Sequence, residues 1–321
     1  MISGRRLFIT GGLGFIASHV VEELMGSNTI VLFDNGHRRS LADNAILSHP
    51  NVTVVEGDVL DTAGLNAAME GAEIVIHCAA IAGIETVVKR PMVTMKVNLL
   101  GTINALDGAV ANGVQKFVDF STSEVYGPQV YRAAEDAPTT QGPVGSIRWS
   151  YAVSKLAAEH MSHAYAAEHG LEAVSVRPFN VYGPRQSGES AIQRFTYQAV
   201  RDEPLTITGD GTQIRAWCYV SDFVDGLLRV LSTSFPQMEV FNIGNPRGTI
   251  TILELATKIV ALTGSKSKIE FRDQTGPDVE VRVPSIAKAE RLLGFSPRIG
   301  LDDGIGATVE YFRRTMKDVK V

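Results

Sequence analysis

Six short, nearly unbroken apolar runs punctuate the first half of the chain: RLFIT, NTIVLFD, NVTVVEG, AEIVIHCA, KFVDFST and EAVSVRPF. Alternating apolar and polar positions would mark strands with one wet face, whereas continuous β-branched runs mark strands covered on both. Between them the spacing predicts helices over 14–25, about 91–112 and 151–168. Pro91 suits a first helical turn, and Gly113 and Gly170 suit helix ends. Strand and helix alternate throughout, which predicts an α/β fold with a Rossmann-like, doubly wound parallel sheet. After Arg177 the texture changes. RPFNVYGPRQSGES is loop-rich, and the remainder mixes a helical stretch, ITILELATKIVAL, with short strands such as LTITG and KIEF. This pattern predicts a cofactor-binding domain over 1–176, with 216–247 returning to it, and a smaller α/β substrate lobe over 177–321.

Composition narrows the function classes. With 45% hydrophobic and 20% charged residues the chain reads as an ordinary globular protein, and its formal net charge of -5 argues against nucleic acid as the main partner. A local basic pocket for a small anion stays open. Cys78 and Cys218 lie far apart in apolar runs, so neither a disulfide framework nor a zinc site is expected. The histidines, including His160 and His163 on one helix face, have no metal-ligand spacing, and no metal is expected. The apolar stretch in MISGRRLFIT is too short for a signal peptide, and no run reaches the roughly 18 apolar residues of a membrane span. A cytoplasmic protein without a membrane partner is the expectation.

Candidate chemistry begins directly after the first strand, at TGGLGFIAS. Gly11 and Gly14 allow a tight turn and let backbone N–H groups approach a pyrophosphate at a helix N-terminus, and Ala17 permits close helix-to-strand packing. Phe15 and Ile16 open that helix. Asp34 ends the next strand, where a carboxylate accepts hydrogen bonds from an adenosine ribose, with Asn35 beside it. NAD is favoured over NADP because a carboxylate repels a 2'-phosphate, although Arg38 and Arg39 are near enough in sequence to accommodate one. Asp58 with Val59, after the third strand, reads equally as an adenine contact or a strand-terminating aspartate.

YAVSK then places Tyr151 and Lys155 four apart on one helical face. An ammonium beside a phenol favours phenolate, so this tyrosine suits removal of a proton from a sugar hydroxyl. Together TGGLGFIAS, HCAA, VNLLGTIN, STSEVYG, YAVSK, RPFNVYGPR and GDGTQIRAWCYVSDF resemble the extended short-chain dehydrogenase/reductases that act on nucleotide sugars. The resemblance implies that Ser123, Tyr151 and Lys155 are the hydride-transfer machinery, with Asn98 holding the lysine through water. It implies that HCAA, from His77 through Ala79 to Ala80, lies along the adenine and ribose. It also places Asn180 at the substrate pyrophosphate and Arg215, with Arg185, Asp278 and Arg282, around the nucleoside diphosphate of a UDP-sugar. A surface ion pair is an equal reading of Asp278 and Arg282. Pairing of the helices around Leu99–Ala111 and Leu156–Ala167 into a homodimer is implied as well.

The subclass turns on Thr122, Ser123 and Glu124. By resemblance Glu124 aligns with the base that removes the sugar C5 proton, while Ser123 stands where 4,6-dehydratases carry an acid. The reading that uses Glu124 fully is 5,6-dehydration of UDP-N-acetylglucosamine, as in antibiotic biosynthesis, with hydride returned to C4. The alternatives are UDP-glucuronate decarboxylation, for which Arg148 would meet the carboxylate, and 4-epimerisation. A catalytically idle NAD-sensing protein is the non-enzyme reading.

Overall fold

The computed structural model describes residues 2–38, 40–41, 44–188, 190–274 and 276–318; Arg39 lies outside the described residues. All six apolar runs become strands of one parallel sheet, and Glu239–Ile243 joins as a seventh. Across the sheet the order is Glu239–Ile243, Glu172–Pro178, Lys116–Phe120, Ile74–His77, Arg6–Thr10, Thr29–Asp34 and Val52–Glu56. Chain order reverses on either side of Arg6–Thr10, which opens a crevice at the carboxyl ends of the strands. Because side chains alternate faces along a strand, Leu7 and Ile9 enter one core while Phe8 enters the other. The first core is covered by the helices Phe15–Leu24 and Val220–Ser232, the second by Pro91–Ala111. All three expected helices form, as Phe15–Leu24, Pro91–Ala111 and Ser150–His169. The last of them ends on Gly170 in the left-handed region, at φ 70°.

Two features differ from the expectation. First, the 216–247 segment packs on the large sheet through the helix Val220–Ser232 and the strand Glu239–Ile243, but its opening strand, Cys218–Tyr219, pairs with Val181–Tyr182 instead. Second, a four-stranded sheet forms in the order Thr249–Thr251, Ile214–Ala216, Val281–Pro284, Gln129–Ala133. It draws strands from both sides of Arg177. Its register sets Ile214 against Val281 and Arg215 against Arg282, and Gln129 against Val281. A third core, including Phe195, Ile207, Trp217, Leu255 and Ile305, packs the helices Ala191–Val200, Ile252–Thr263 and Leu301–Asp318 together. Among the described residues no helix is long and apolar enough to cross a membrane.

Candidate active site

The glycine loop lies at the crevice. Gly11 has φ +65°, and a Cβ there would come 2.8 Å from the backbone nitrogen of Ala79, so a side chain is excluded by both conformation and space. A cavity of about 580 Å³ opens beside it, lined by Gly11, Gly14, Phe15, Asp34, Asn35, Asp58, Val59, Ala79 and Ala80, together with Cys78 and Arg38. Ile16 does not line it; it is half-buried against the first core. Asp34 accepts from Leu13 N at 3.0 Å and from Gly36 N at 2.7 Å. Each carboxylate oxygen keeps a further acceptor site toward the cavity, as a ribose diol requires. Arg38 is tied to the Thr86 hydroxyl at 2.8 Å. His77 departs from the expected role: it is fully buried, bonded to Thr10 at 2.8 Å and Thr102 at 3.0 Å. Burial, followed by the charge of Lys155, pulls its pKa down to about 3, so it is a neutral core residue and not a wall of the cavity.

Beyond the cavity, the strand Lys116–Phe120 ends in a tight turn, Ser123–Tyr126, capped by the Thr122 hydroxyl accepting from Glu124 N at 3.2 Å. This turn sits against the start of the helix that carries Tyr151 and Lys155. The hydroxyl hydrogen-bonded to the Tyr151 phenol is that of Thr122; Ser123, one residue on, is buried beside it. Burial pushes the Tyr151 phenol well up and Glu124 adds to this, while the Thr122 hydrogen bond and Arg282 pull the other way. Lys155 is 1% exposed, its Nζ 3.9 Å from Asp119 Oδ1. Asn98 does not bond Lys155 directly. Its amide grips the backbone of Ile81 on both sides, at 2.7 and 3.0 Å, and donates to Ser154 Oγ at 3.1 Å.

Three arginines converge on the shelf. Arg148 donates to Glu124 at 2.8 and 3.2 Å, and Arg282 reaches the same carboxylate at 3.3 Å. Burial alone would raise the pKa of Glu124, but Arg282 and Arg148 outweigh it and hold the carboxyl below the ordinary value. Arg215 donates to Val279 O at 2.6 Å and lies 3.6 Å from Asp278. Burial, with the neighbouring Arg282, lowers Arg215 to about 10. The surface reading of Arg282 does not hold, because it is 5% exposed and its ion pair is with Glu124. Arg282 Nε and Nη2 and Arg148 Nε are buried without a protein partner. Such donors leave unsatisfied positive charge in the cluster. Asn180, at φ 41°, donates to Ala216 O at 2.9 Å. Arg185 is not part of the cluster: it bonds His19 at 2.8 Å and pairs with Glu22, on the helix that follows the glycine loop.

Among the described residues no group of three or more His, Cys, Asp or Glu is placed to hold a metal ion. Residues 7–244 match the model of the "NAD dependent epimerase/dehydratase family". UDP-glucuronic acid decarboxylase 2 of Arabidopsis thaliana is 35% identical over 318 residues, covering 97% of this chain and 69% of its own. A crystal structure of UDP-glucuronic acid 4-epimerase from Bacillus cereus, complexed with UDP-glucuronic acid and NAD, superposes with a TM-score of 0.89 at 29% identity, covering 97% of this chain and 99% of that one. A dTDP-glucose 4,6-dehydratase from Streptomyces venezuelae, with NAD bound, does so at 0.89 and 27%, covering 97% of this chain and 98% of that one. The glycine loop, the Asp34 carboxylate and the tyrosine–lysine helix thus lie in a chain that belongs to the NAD dependent epimerase/dehydratase family, as an NAD-dependent enzyme of the extended short-chain dehydrogenase/reductase type.

Proposed function

We propose that the protein is a UDP-glucuronate decarboxylase. The observation that carries this reading is the grip of Arg148 and Arg282 on Glu124 at 2.8 to 3.3 Å. A carboxylate held between two guanidinia is a weak base, so Glu124 is poorly suited to removing a C5 proton. Dehydration of UDP-N-acetylglucosamine depends on that step, whereas decarboxylation does not. The spare donors of Arg282 and Arg148 give the pocket a surplus of positive charge, fitting a C6 carboxylate better than a neutral hydroxymethyl group. The similarity to UDP-glucuronic acid decarboxylases supports the same choice.

Bound NAD supplies the hydride acceptor that turns the sugar C4 alcohol into a ketone. In this reading Tyr151 takes the C4 hydroxyl proton and Thr122 fixes the phenol through its hydrogen bond, while Lys155, one helical turn further along the same helix, is the ammonium that would favour the phenolate. Arg148 and Arg282 orient the C6 carboxylate. A carboxylate β to a ketone loses carbon dioxide readily: the C5–C6 bond breaks, its electron pair passes to the C4 oxygen, where Tyr151 would supply the proton, a proton then adds at C5 to restore the ketone, and return of the hydride to C4 leaves the reaction without net oxidation. Arg215 and Asn180 bind the diphosphate side, and a homodimer through the two long helices is part of the proposal.

Mass spectrometry of the product from UDP-glucuronate with NAD decides the matter. Loss of carbon dioxide is expected. An unchanged mass with an inverted C4 would replace the reading with 4-epimerisation, the activity of a close structural neighbour, and water loss from UDP-N-acetylglucosamine would restore dehydration.

A further inference from the structure

A row of polar side chains crosses the middle of the buried sheet. Thr10, His77, Asp119 and Ser175 lie in register on four adjacent parallel strands and point to the same face. Thr10 and His77 are bonded as described, and Ser175 Oγ stands 3.5 Å from Asp119 Oδ2. Asp119 is the anomaly in this row. It is a carboxylate at 0% exposure inside the apolar run KFVDF, where a charge demands a partner. Asp119 Oδ1 has no hydrogen-bond partner, and neither does Lys155 Nζ, 3.9 Å away. Each is the nearest opposite charge available to the other.

We propose that Asp119 is a positioning residue for Lys155: its carboxylate, fixed in the sheet, anchors the ammonium and sets how much of that positive charge reaches Tyr151. This rests on the reading of Tyr151 and Lys155 as the catalytic pair. The other ionisable groups facing Asp119 are Glu159 and Tyr151 from the same helix as Lys155, and His77 and Cys78 from the neighbouring strand and its end. Glu159 is neutralised by Arg177, at 2.7 and 2.8 Å, and His77 is uncharged. Lys155 is therefore the cation Asp119 answers to. Burial pushes the Asp119 carboxyl up to about 6, with Lys155 opposing, and Asp119 is among the groups that raise Tyr151. The carboxylate thus restrains the pair: while it is charged, the first proton leaves Tyr151 and Lys155 less readily.

Two measurements test this. In carbon-13 carboxyl NMR, with the Asp119 signal assigned through Asp119→Asn, Lys155→Met should move the Asp119 midpoint up by about one pH unit or more; an unmoved midpoint overturns the proposal. Lys155→Gln replaces Lys155→Met if that variant does not fold. Second, the acid limb of the pH–rate profile for UDP-glucuronate should shift to lower pH by about one unit in Asp119→Asn, or in Asp119→Leu if the asparagine variant is unfolded. A purely structural aspartate would lower the rate without moving the limb, and that result refutes the role. If the native enzyme does not act on UDP-glucuronate, the proposed function fails, while the NMR titration, which needs no substrate, decides Asp119 alone.

Discussion

The row across the sheet makes a quantitative prediction about acid stability. The folded protein holds His77 neutral down to about pH 3, while an unfolded histidine takes a proton near 6.5. Stability is therefore full above pH 6.5 and is lost as pH falls toward 3, by about 1.4 kcal/mol per pH unit and about 5 kcal/mol in all. Asp119 works in the opposite direction. Its folded value of about 6 lies above the ordinary 3.8, so its contribution is full below pH 3.8 and is lost as pH rises through about 6, a change of about 3 kcal/mol. Between pH 6 and 4 the two slopes nearly cancel. Asp119→Asn removes one of them. Urea unfolding followed by circular dichroism at pH 7, 6, 5 and 4 should show the variant losing about 3 kcal/mol more than the native protein over this range. Carboxylates remote from Asp119 contribute equally to both proteins, so the difference isolates Asp119 and the groups coupled to it, Lys155 and Glu159. Parallel stability curves would refute the placement of an ionisable Asp119 in the dry sheet.

Three further outcomes follow from the site. Arg282→Met leaves Glu124 with one guanidinium and removes two spare donors, so kcat/KM for UDP-glucuronate should fall by about 2 kcal/mol or more, some 30-fold; steady-state kinetics showing an unchanged value would remove Arg282 from the carboxylate pocket. Tyr151→Phe should lower kcat by about 10²- to 10⁴-fold while NAD affinity, measured by calorimetry, stays within a few fold. Gly11→Ala forces φ +65° on a side chain that meets Ala79 and should weaken NAD binding by about 1–3 kcal/mol. Gly113→Ala, at φ +66° with nothing within 4 Å, is the control and should leave NAD affinity unaltered.

How far the sequence could be read depended on the length and purity of its signals. The strands of the large sheet are apolar on both faces, so Leu7, Phe8 and Ile9 announce a strand without help from any neighbour. The small sheet carries no such mark. Ile214–Ala216 and Thr249–Thr251 are three residues each, too short for a period, and what makes them strands is pairing with segments far away in the chain. Arg282 reaches Glu124 across 158 positions because Val281–Pro284 pairs with Gln129–Ala133, just past the Glu124 turn. No local pattern encodes that encounter. Asp119 did carry a signal: a lone carboxylate in a strand buried on both faces demands a partner, and the only question was which one.

The same distinction explains why Glu124 invites a dehydratase reading from sequence and a decarboxylase reading from structure. Beside a sugar, a free glutamate is a competent base for a C5 proton. With Arg148 and Arg282 on it, its pKa falls and guanidinium donors take three of its acceptor sites. Residue type fixes what a side chain can do, but the guanidinia brought by a strand and a turn from elsewhere in the chain decide which of those things it does. In the 5,6-dehydration reading Glu124 must shed both arginines before it can act. In the decarboxylation reading the same three groups already form the place where a second carboxylate would be received.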